Sequence, residues 1–122
     1  MNMGRFKDLE VWKRSKELAV RIYRVTDEGA IKRDFSLRDQ LRRSAVSVPS
    51  NIAEGDERDS DRESARFFAI SKGSLAELRT QLQIAFEVGY LTEEIFLDTD
   101  RECEIISRMI GALIKSRSAE RA

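Results

Sequence analysis

The residues best suited to chemistry in this 122-residue chain are six basic side chains in its first third. Arg38, Arg42 and Arg43 form one group, in which Arg38 and Arg42 lie one helical turn apart and would repel each other unless a negative group is nearby. A second group, which would extend the first, consists of Lys13, Arg14 and Lys16. Such a surface would bind phosphate groups or an acidic partner; alternatively, the arginines form ion pairs with a neighbouring helix or subunit. The carboxylates proposed for those pairs are Asp39, Glu54 and Glu77.

A run of carboxylates surrounds the predicted loop between the second and third helices. Its members are Glu54, Asp56, Glu57, Asp59, Asp61 and Glu63. Six carboxylates could hold a hard cation, but the central glycine and the spacing of a calcium loop are missing, and Arg58 and Arg62 are interleaved. The run is therefore interpreted as a solvated loop whose acidic groups offset the helix dipole. We predict no metal and no cofactor.

Nucleophilic catalysis finds no support in the sequence. The chain contains no histidine, which excludes a Ser-His-Asp arrangement and leaves Cys103 without an activating base. Cys103 lies among apolar positions and is predicted to be a buried, inert thiol. Ser47, Ser50 and Asn51 are interpreted as hydrogen-bonding groups around Pro49. Since a Gly-rich phosphate loop and Cys/His metal spacing are also missing, we predict that the protein is not an enzyme and has no small-molecule substrate.

Four amphipathic helices are predicted to position these residues. Apolar side chains recur at steps of three and four, the period of a helix packed on others, and the predicted helices span about 8–28, 37–54, 61–88 and 93–117. The seam of the third helix consists of Phe68, Ser71, Leu75, Leu78, Leu82 and Ala85. Short connections between long helices favour antiparallel neighbours. The predicted fold is all-α: an antiparallel up-down-up-down four-helix bundle in one domain, residues 1–122.

Local signals predict the helix ends and one bend. The predicted N-terminal residues or caps are Asp8, Ser36, Ser60 and Thr92. Three glycines are predicted to end helices: Gly29, Gly55 and Gly89, the last two in the left-handed conformation. Pro49 would bend helix 2, because it cannot donate a hydrogen bond to the carbonyl of Ala45. Gly73, beside Ser74 in mid-helix 3, is predicted to allow the close approach of a neighbouring backbone.

Composition and charge narrow the classes of function. Hydrophobic residues make up 41% and charged residues 36% of the chain, no apolar run approaches the ~20 residues of a membrane span, and the N-terminal residues lack the apolar region of a secretory signal. A cytoplasmic location is therefore predicted, without membrane binding. Lys+Arg and Asp+Glu both number 22, which argues against a dedicated nucleic-acid binder.

The same charges are unevenly placed along the chain. Residues 1–43 carry twelve basic against seven acidic residues, whereas residues 44–104 carry six against fourteen. Four large apolar side chains also fall beside the helix seams: Trp12, Phe67, Phe96 and Leu97. Apolar surface beyond what one core can bury usually marks an interface, and the charge asymmetry is compatible with head-to-tail contacts that close into a ring. We therefore predict that the chain associates with itself.

Four segments of the chain resemble one known family. They are FKDLEVW near the start, LRDQLRRSAVSVPSNIAEG in helix 2, GSLAELRTQL in helix 3 and GYL before helix 4. Over roughly residues 6–116 the chain is similar to the four-helix-bundle proteins encoded by intervening sequences in bacterial 23S ribosomal RNA genes. The combination of QLRRSAVSVPSNIAEG with GSLAEL is specific. The same fold family includes the accessory variability protein of diversity-generating retroelements, which works with a reverse transcriptase and nucleic acid.

The resemblance implies an assembly and a function class. Members of the family form homopentamers and have no established enzymatic activity, and for most the physiological role is unknown. The motif residues to which the resemblance gives a structural role are Pro49, Asn51, Glu54, Gly55, Gly73 and Ser74. The leading hypothesis is a non-enzymatic, oligomeric interaction or scaffold protein. The alternative is an accessory protein that binds RNA or DNA with a basic face of helices 1 and 2, although this chain, with a pI near 6.4, is neutral where the retroelement protein is basic.

Overall fold

The computed structural model describes residues 5–121, and the side chains of residues 5–118. It contains four α-helices: α1 (Glu10–Val25), α2 (Phe35–Asp56), α3 (Asp61–Glu87) and α4 (Glu93–Arg121). Two short 3-10 helices, Arg5–Asp8 and Ala30–Arg33, precede α1 and α2. The described part of the chain has no β-strand, so the fold is all-α, as predicted. None of its helices is both long enough and apolar enough to cross a membrane.

One apolar core runs between the four helices. The α2 helix packs most extensively on α3, α3 packs on α4, and α1 contacts both α2 and α4. All six positions of the predicted α3 seam are buried, including Phe68 and Leu78 at 0% exposed, so that seam is confirmed. These contacts are those of a helix bundle; the up-down-up-down order and the bend at Pro49 stay predictions.

Three of the predicted end signals are confirmed by hydrogen bonds of α3 and α4. The Ser60 hydroxyl accepts a hydrogen bond from the backbone N–H of Glu63 at 3.2 Å, and Thr92 Oγ1 accepts one from the N–H of Ile95 at 3.2 Å. Gly89 follows α3 with φ +88°. Its N–H donates to the carbonyl of Phe86 (3.0 Å), and the next N–H donates to the carbonyl of Ala85 (2.8 Å). These two bonds form a Schellman motif, which satisfies the last carbonyls of α3.

The predicted start of α1 at Asp8 is wrong. Asp8 belongs to the preceding 3-10 helix, and Leu9 is the extended residue at the N-cap, with φ −70° and ψ 126°. The ring of Phe6 in this 3-10 helix packs edge-on against Trp12, with 5.4 Å between centroids. That contact favours a separate turn before α1. At its other end, α1 stops at Val25, four residues before Gly29.

The predicted start of α2 at Ser36 is also wrong, because Asp34 is the N-cap. Its Oδ1 accepts a hydrogen bond from the N–H of Leu37 at 3.2 Å. Its Oδ2 accepts one from the hydroxyl of Tyr90 at 2.9 Å, and this hydrogen bond raises the pKa of Tyr90. A carboxylate at this position also interacts favourably with the helix dipole. Asp34 therefore links the start of α2 to the turn between α3 and α4.

The prediction of Gly55 as a left-handed residue that ends α2 is wrong. Gly55 lies inside α2, and the positive-φ residues of the described chain are Gly29 and Gly89. A Cβ atom at position 55 would lie 2.5 Å from Cε1 of Phe68. In addition, the hydroxyl of Ser64 donates to the carbonyl of Gly55 at 2.6 Å. Position 55 needs glycine because α3 packs directly on the α2 backbone there.

The close approach predicted at Gly73 is not found in the folded chain. A Cβ atom built at Gly73 would have no neighbour within 4 Å, and the residue is exposed. Its neighbour Ser74 is 4% exposed and shares a 2.7 Å hydrogen bond with Ser47 of α2. The close contact of α2 with α3 is therefore at Gly55, and Gly73 faces outward.

Hydrogen-bonding side chains surround Pro49, as predicted for two of the three residues. The amide of Asn51 donates to the carbonyl of Ser47 at 2.8 Å and to its hydroxyl at 3.0 Å. The hydroxyl of Ser71 in α3 donates to the carbonyl of the residue before Pro49 at 2.8 Å. Ser50, the third residue, is exposed. This turn of α2 therefore obtains polar partners both from its own side chains and from α3.

Candidate interaction surface

The six basic residues predicted as one site do not come together. In α1, Arg14 forms a two-point ion pair with Glu102 of α4, with N–O distances of 2.9 and 2.7 Å, which raises the pKa of Arg14. Lys13 lies 3.8 Å from Glu10, and Lys16 is exposed. The basic residues of α1 lie seven to ten residues before Tyr23, which is roughly 10–15 Å along the helix. They are thus separated from the arginines of α2, which lie near the end of α1.

Arg42 reaches from α2 to the C-terminal end of α1. Its Nε donates to Oγ1 of Thr26 at 2.8 Å, and Nη2 donates to the carbonyl of Tyr23 at 3.4 Å. The guanidinium carbon lies 4.5 Å from the centroid of the Tyr23 ring, within the range of a cation–π contact. Thr26 is 1% exposed and its hydroxyl also donates to the carbonyl of Ile22. Arg42 therefore supplies a cation and hydrogen bonds to the last turn of α1.

Arg38 makes a similar contact one turn earlier on α2. Its guanidinium lies 4.8 Å from the centroid of the Phe35 ring. Nε donates to Oδ1 of Asp39 at 3.1 Å, and Nη1 donates to the carbonyl of Lys32 at 3.2 Å. Among the carboxylates proposed as partners, Asp39 pairs with Arg38, but within α2 and not across to a neighbouring helix. Glu54 pairs with Arg58, which lies in the turn after α2.

Together these contacts define a patch that we call the arginine–aromatic surface. Its members are Val20, Tyr23, Phe35, Arg38, Arg42 and Val46. Its four apolar side chains are 41–62% exposed and make up half of the eight large apolar side chains that are exposed in the described chain. Arg42 connects the patch, because it stacks on Tyr23 and lies one turn from both Arg38 and Val46. Aromatic residues and arginine are enriched at protein–protein interfaces and their energetic hot spots.

Sequence reasoning named the two arginines of this surface but missed its rings. Tyr23 lies beside the apolar stripe of α1 and is 45% exposed. Phe35 precedes the predicted span of helix 2, 37–54, but is the first residue of α2 and 62% exposed. Its spacing to Arg38, three residues, would have placed both on one helix face if the start of α2 had been predicted correctly.

The four apolar residues predicted to lie beside the helix seams differ in solvent exposure. Leu97 is 48% exposed, as expected, whereas Phe96 is 9% exposed and stacks on Phe86 with 4.7 Å between ring centroids. Trp12 is partly buried against the core. Phe67 is partly buried, with the guanidinium groups of two arginines over its ring. Three of these four residues are thus largely covered within the chain itself.

Ion pairs with arginines occur among the carboxylates around the α2–α3 turn. The pairs are Glu54 with Arg58, Asp56 with Arg117 at 2.5 Å, and Glu63 with Arg66 at 3.6 Å. Among the described residues, no group of three or more acidic or Cys side chains could hold a metal ion. This turn therefore contains a helix cap, two ion pairs between residues close in sequence, and one ion pair to α4.

Cys103 is buried in the core of the bundle, as predicted. It is 0% exposed, and burial raises the pKa of its thiol to about 12. A thiol that stays protonated at neutral pH is a poor nucleophile.

The described part of this chain is an all-α helix bundle. The profile of one family, described as 23S rRNA-intervening sequence protein, matches residues 7–112. This chain belongs to that family.

One solved structure and the curated proteins complete the comparison. The solved structure is a protein of unknown function from the S23 ribosomal protein family of Bacteroides thetaiotaomicron VPI-5482, with a TM-score of 0.79 and 24% sequence identity. The match covers 86% of this chain and 98% of that chain, and at this identity it establishes a shared fold alone. No curated protein matches the chain significantly. Neither the family's nor the neighbour's description indicates a catalytic activity.

Proposed function

We propose that this chain is a non-enzymatic, cytoplasmic scaffold protein that assembles with copies of itself through the arginine–aromatic surface. The observation that carries this function is that half of the exposed large apolar side chains lie in one patch. The expected assembly is a homopentamer, which follows from the resemblance of the sequence to its family.

Burying the exposed apolar side chains of this surface against a partner would stabilise a complex. Fully burying a large apolar side chain contributes about 1.5–3 kcal/mol. Tyr23, Phe35 and Val46 keep 41–62% of their surface exposed in the single chain, so a partner that covers them gains about half of that for each. The two arginines already lie over the rings, and this pre-organisation lowers the entropy lost on binding.

Size-exclusion chromatography with light scattering tests this function. The wild-type chain should elute with a mass that is a multiple of 14.0 kDa, and Phe35→Glu should shift it to the monomer because a carboxylate would be buried at the interface. Leu97→Glu is the matched control, since Leu97 is similarly exposed but lies on α4 outside the surface. A monomeric wild type, or an unchanged mass for Phe35→Glu with retained helicity, would contradict the proposal.

Binding of RNA or DNA by the same arginines is the second candidate function. An exposed aromatic ring next to a cation, as in Phe35 and Arg38, is an element of single-strand binding surfaces. Against it, each ring of the surface already has a guanidinium over one face, and the net charge is +0.

Fluorescence anisotropy with labelled single-stranded RNA and DNA separates the two candidates. If the protein is a scaffold only, neither probe should bind at ~50 mM salt. Binding that weakens steeply as salt rises is the signature of phosphate contacts. If that binding is also lost in Arg38→Gln, the nucleic-acid function takes first place.

A further inference from the structure

A polar cleft of about 490 Å³ lies between α2 and α3. All seven residues that line it have polar side chains. They include Arg43 and Ser44 from α2, and Glu77 and Gln81 from α3. Helix–helix contacts are ordinarily closed by apolar side chains, so an open polar cleft at this position requires a separate explanation.

Two opposite, solvent-exposed charges at the cleft have no ion-pair partner among the described residues. Arg43 and Glu77 enter it from different helices, and neither has an oppositely charged group within 4.0 Å among the described residues. Elsewhere in the bundle such charges do pair, as in Arg79 with Asp100 at 2.8 Å. The two charged groups of the cleft therefore stand apart, with room between them.

Two further polar groups of the cleft have no hydrogen-bond partner within the described chain. Ser44 is 6% exposed, and its hydroxyl forms no hydrogen bond there but remains accessible to solvent. The Oε1 atom of Gln81 is buried without a partner. Because buried polar groups are almost always hydrogen-bonded, Gln81 Oε1 needs a donor from outside the described chain.

We infer that the cleft binds a small zwitterion of the α-amino acid class. Its carboxylate would accept charge-assisted hydrogen bonds from the Arg43 guanidinium, which suits carboxylates geometrically. Its ammonium group would lie at Glu77, with Asp39 at the same cleft as a second carboxylate. Ser44 and Gln81 would bond to the polar groups of the ligand. The polar lining favours glycine and polar amino acids over apolar ones. This inference does not depend on the proposed self-assembly.

Isothermal titration calorimetry and amide chemical shifts of the full chain test the inference. The probes are glycine, L-serine and L-glutamine; acetate and methylammonium each carry only one half of the charge pair. A zwitterion should bind saturably, with shifts at residues 43, 44, 77 and 81, and each half-ligand should bind at least about tenfold more weakly, because one charged hydrogen-bond set is worth about that factor.

Matched variants assign the binding to the cleft. Arg43→Gln and Glu77→Gln should each weaken the zwitterion at least about tenfold, whereas Arg101→Gln, which removes an exposed cation of α4, should leave affinity unchanged. If none of the zwitterions gives a heat of binding or shifts these amides, the inference is overturned. It is overturned equally if Arg43→Gln binds like the wild type. The light-scattering mass of the same samples reports separately on self-assembly.

Discussion

Gly55 and Gly73 both lie within long helices, but the space around them differs. A Cβ atom at Gly55 would overlap the ring of Phe68 at 2.5 Å, whereas one at Gly73 would meet nothing within 4 Å. Gly55→Ala should therefore lower the free energy of unfolding by about 1–3 kcal/mol, as overpacking does. Gly73→Ala should raise it by about 0.5–1 kcal/mol, because alanine has the better helix propensity.

Urea titrations of the two variants, side by side with the wild type, measure both changes. Equal effects of the two substitutions would contradict the packing argument. Destabilisation by Gly73→Ala would mean that a second copy of the chain approaches the outer face of α3.

The buried thiol of Cys103 should make the stability of the fold depend on pH and should react slowly in the folded chain. Its pKa is raised from 9.0 to about 12, so folding disfavours the thiolate. The contribution of this group to stability is complete below pH 9 and is lost as the pH rises from about 9 towards 12, because the unfolded chain ionises first. At pH 8 a disulfide reagent should react with Cys103 slowly in buffer and rapidly in urea. Fast reaction of the folded protein would show that the thiol is accessible.

At the scale of one element, the buried seam of α3 should be far more sensitive to truncation than its exposed face. Leu78 is 0% exposed in that seam, and Leu78→Ala should cost about 2–5 kcal/mol of unfolding free energy. Ile84 lies on the same helix but is 48% exposed, and Ile84→Ala should change the stability by less than about 0.5 kcal/mol. A loss below that value at Leu78, measured by denaturation, would mean that the seam is misplaced.

At the scale of one element, Pro49 is also predicted to bend α2. It is a buried residue inside α2 and cannot donate to the carbonyl of Ala45. If this missing bond bends the helix, Pro49→Ala should straighten it, because an alanine N–H restores the bond. Crystal structures of both proteins provide the comparison, and an equal bend in the two would assign the curvature to packing against α3.

Charged side chains orient the elements more than they stabilise them. Three carboxylates of α4 reach both of its neighbours: Asp98 pairs with Arg21, Asp100 with Arg79, and Glu102 with Arg14. These pairs are partly exposed, and pairs of this kind contribute only about 0–1 kcal/mol each. They select the rotation of α4 against α1 and α3, while apolar burial supplies the stability.

At the scale of the whole molecule, self-assembly should couple to stability. A partner that binds only the folded chain raises its apparent stability by mass action, so the thermal midpoint of the wild type should rise with protein concentration. Phe35→Glu should remove that dependence and Leu97→Glu should retain it. A midpoint independent of concentration for the wild type, measured by calorimetry, would argue against an assembly that dissociates on unfolding.

Features that depend on residues close together in the chain could be predicted from the sequence. The spacing of Phe68, Leu75 and Leu82 predicts a buried face, because a helix repeats every 3.6 residues. Ser60 and Gly89 predict helix ends, because their hydrogen bonds span only a few residues. The all-α fold and the family follow from such local patterns.

Features that depend on contacts between distant residues could not be predicted and became visible only in the folded chain. Asp34 receives the hydroxyl of Tyr90, Gly55 receives the ring of Phe68, and Arg42 reaches the end of α1. The pairing of Arg42 with Tyr23 could not be predicted, because it depends on how α1 rotates against α2. A local pattern specifies which face of a helix is apolar, but the relative rotation and axial position of the helices depend on contacts between helices in the folded chain.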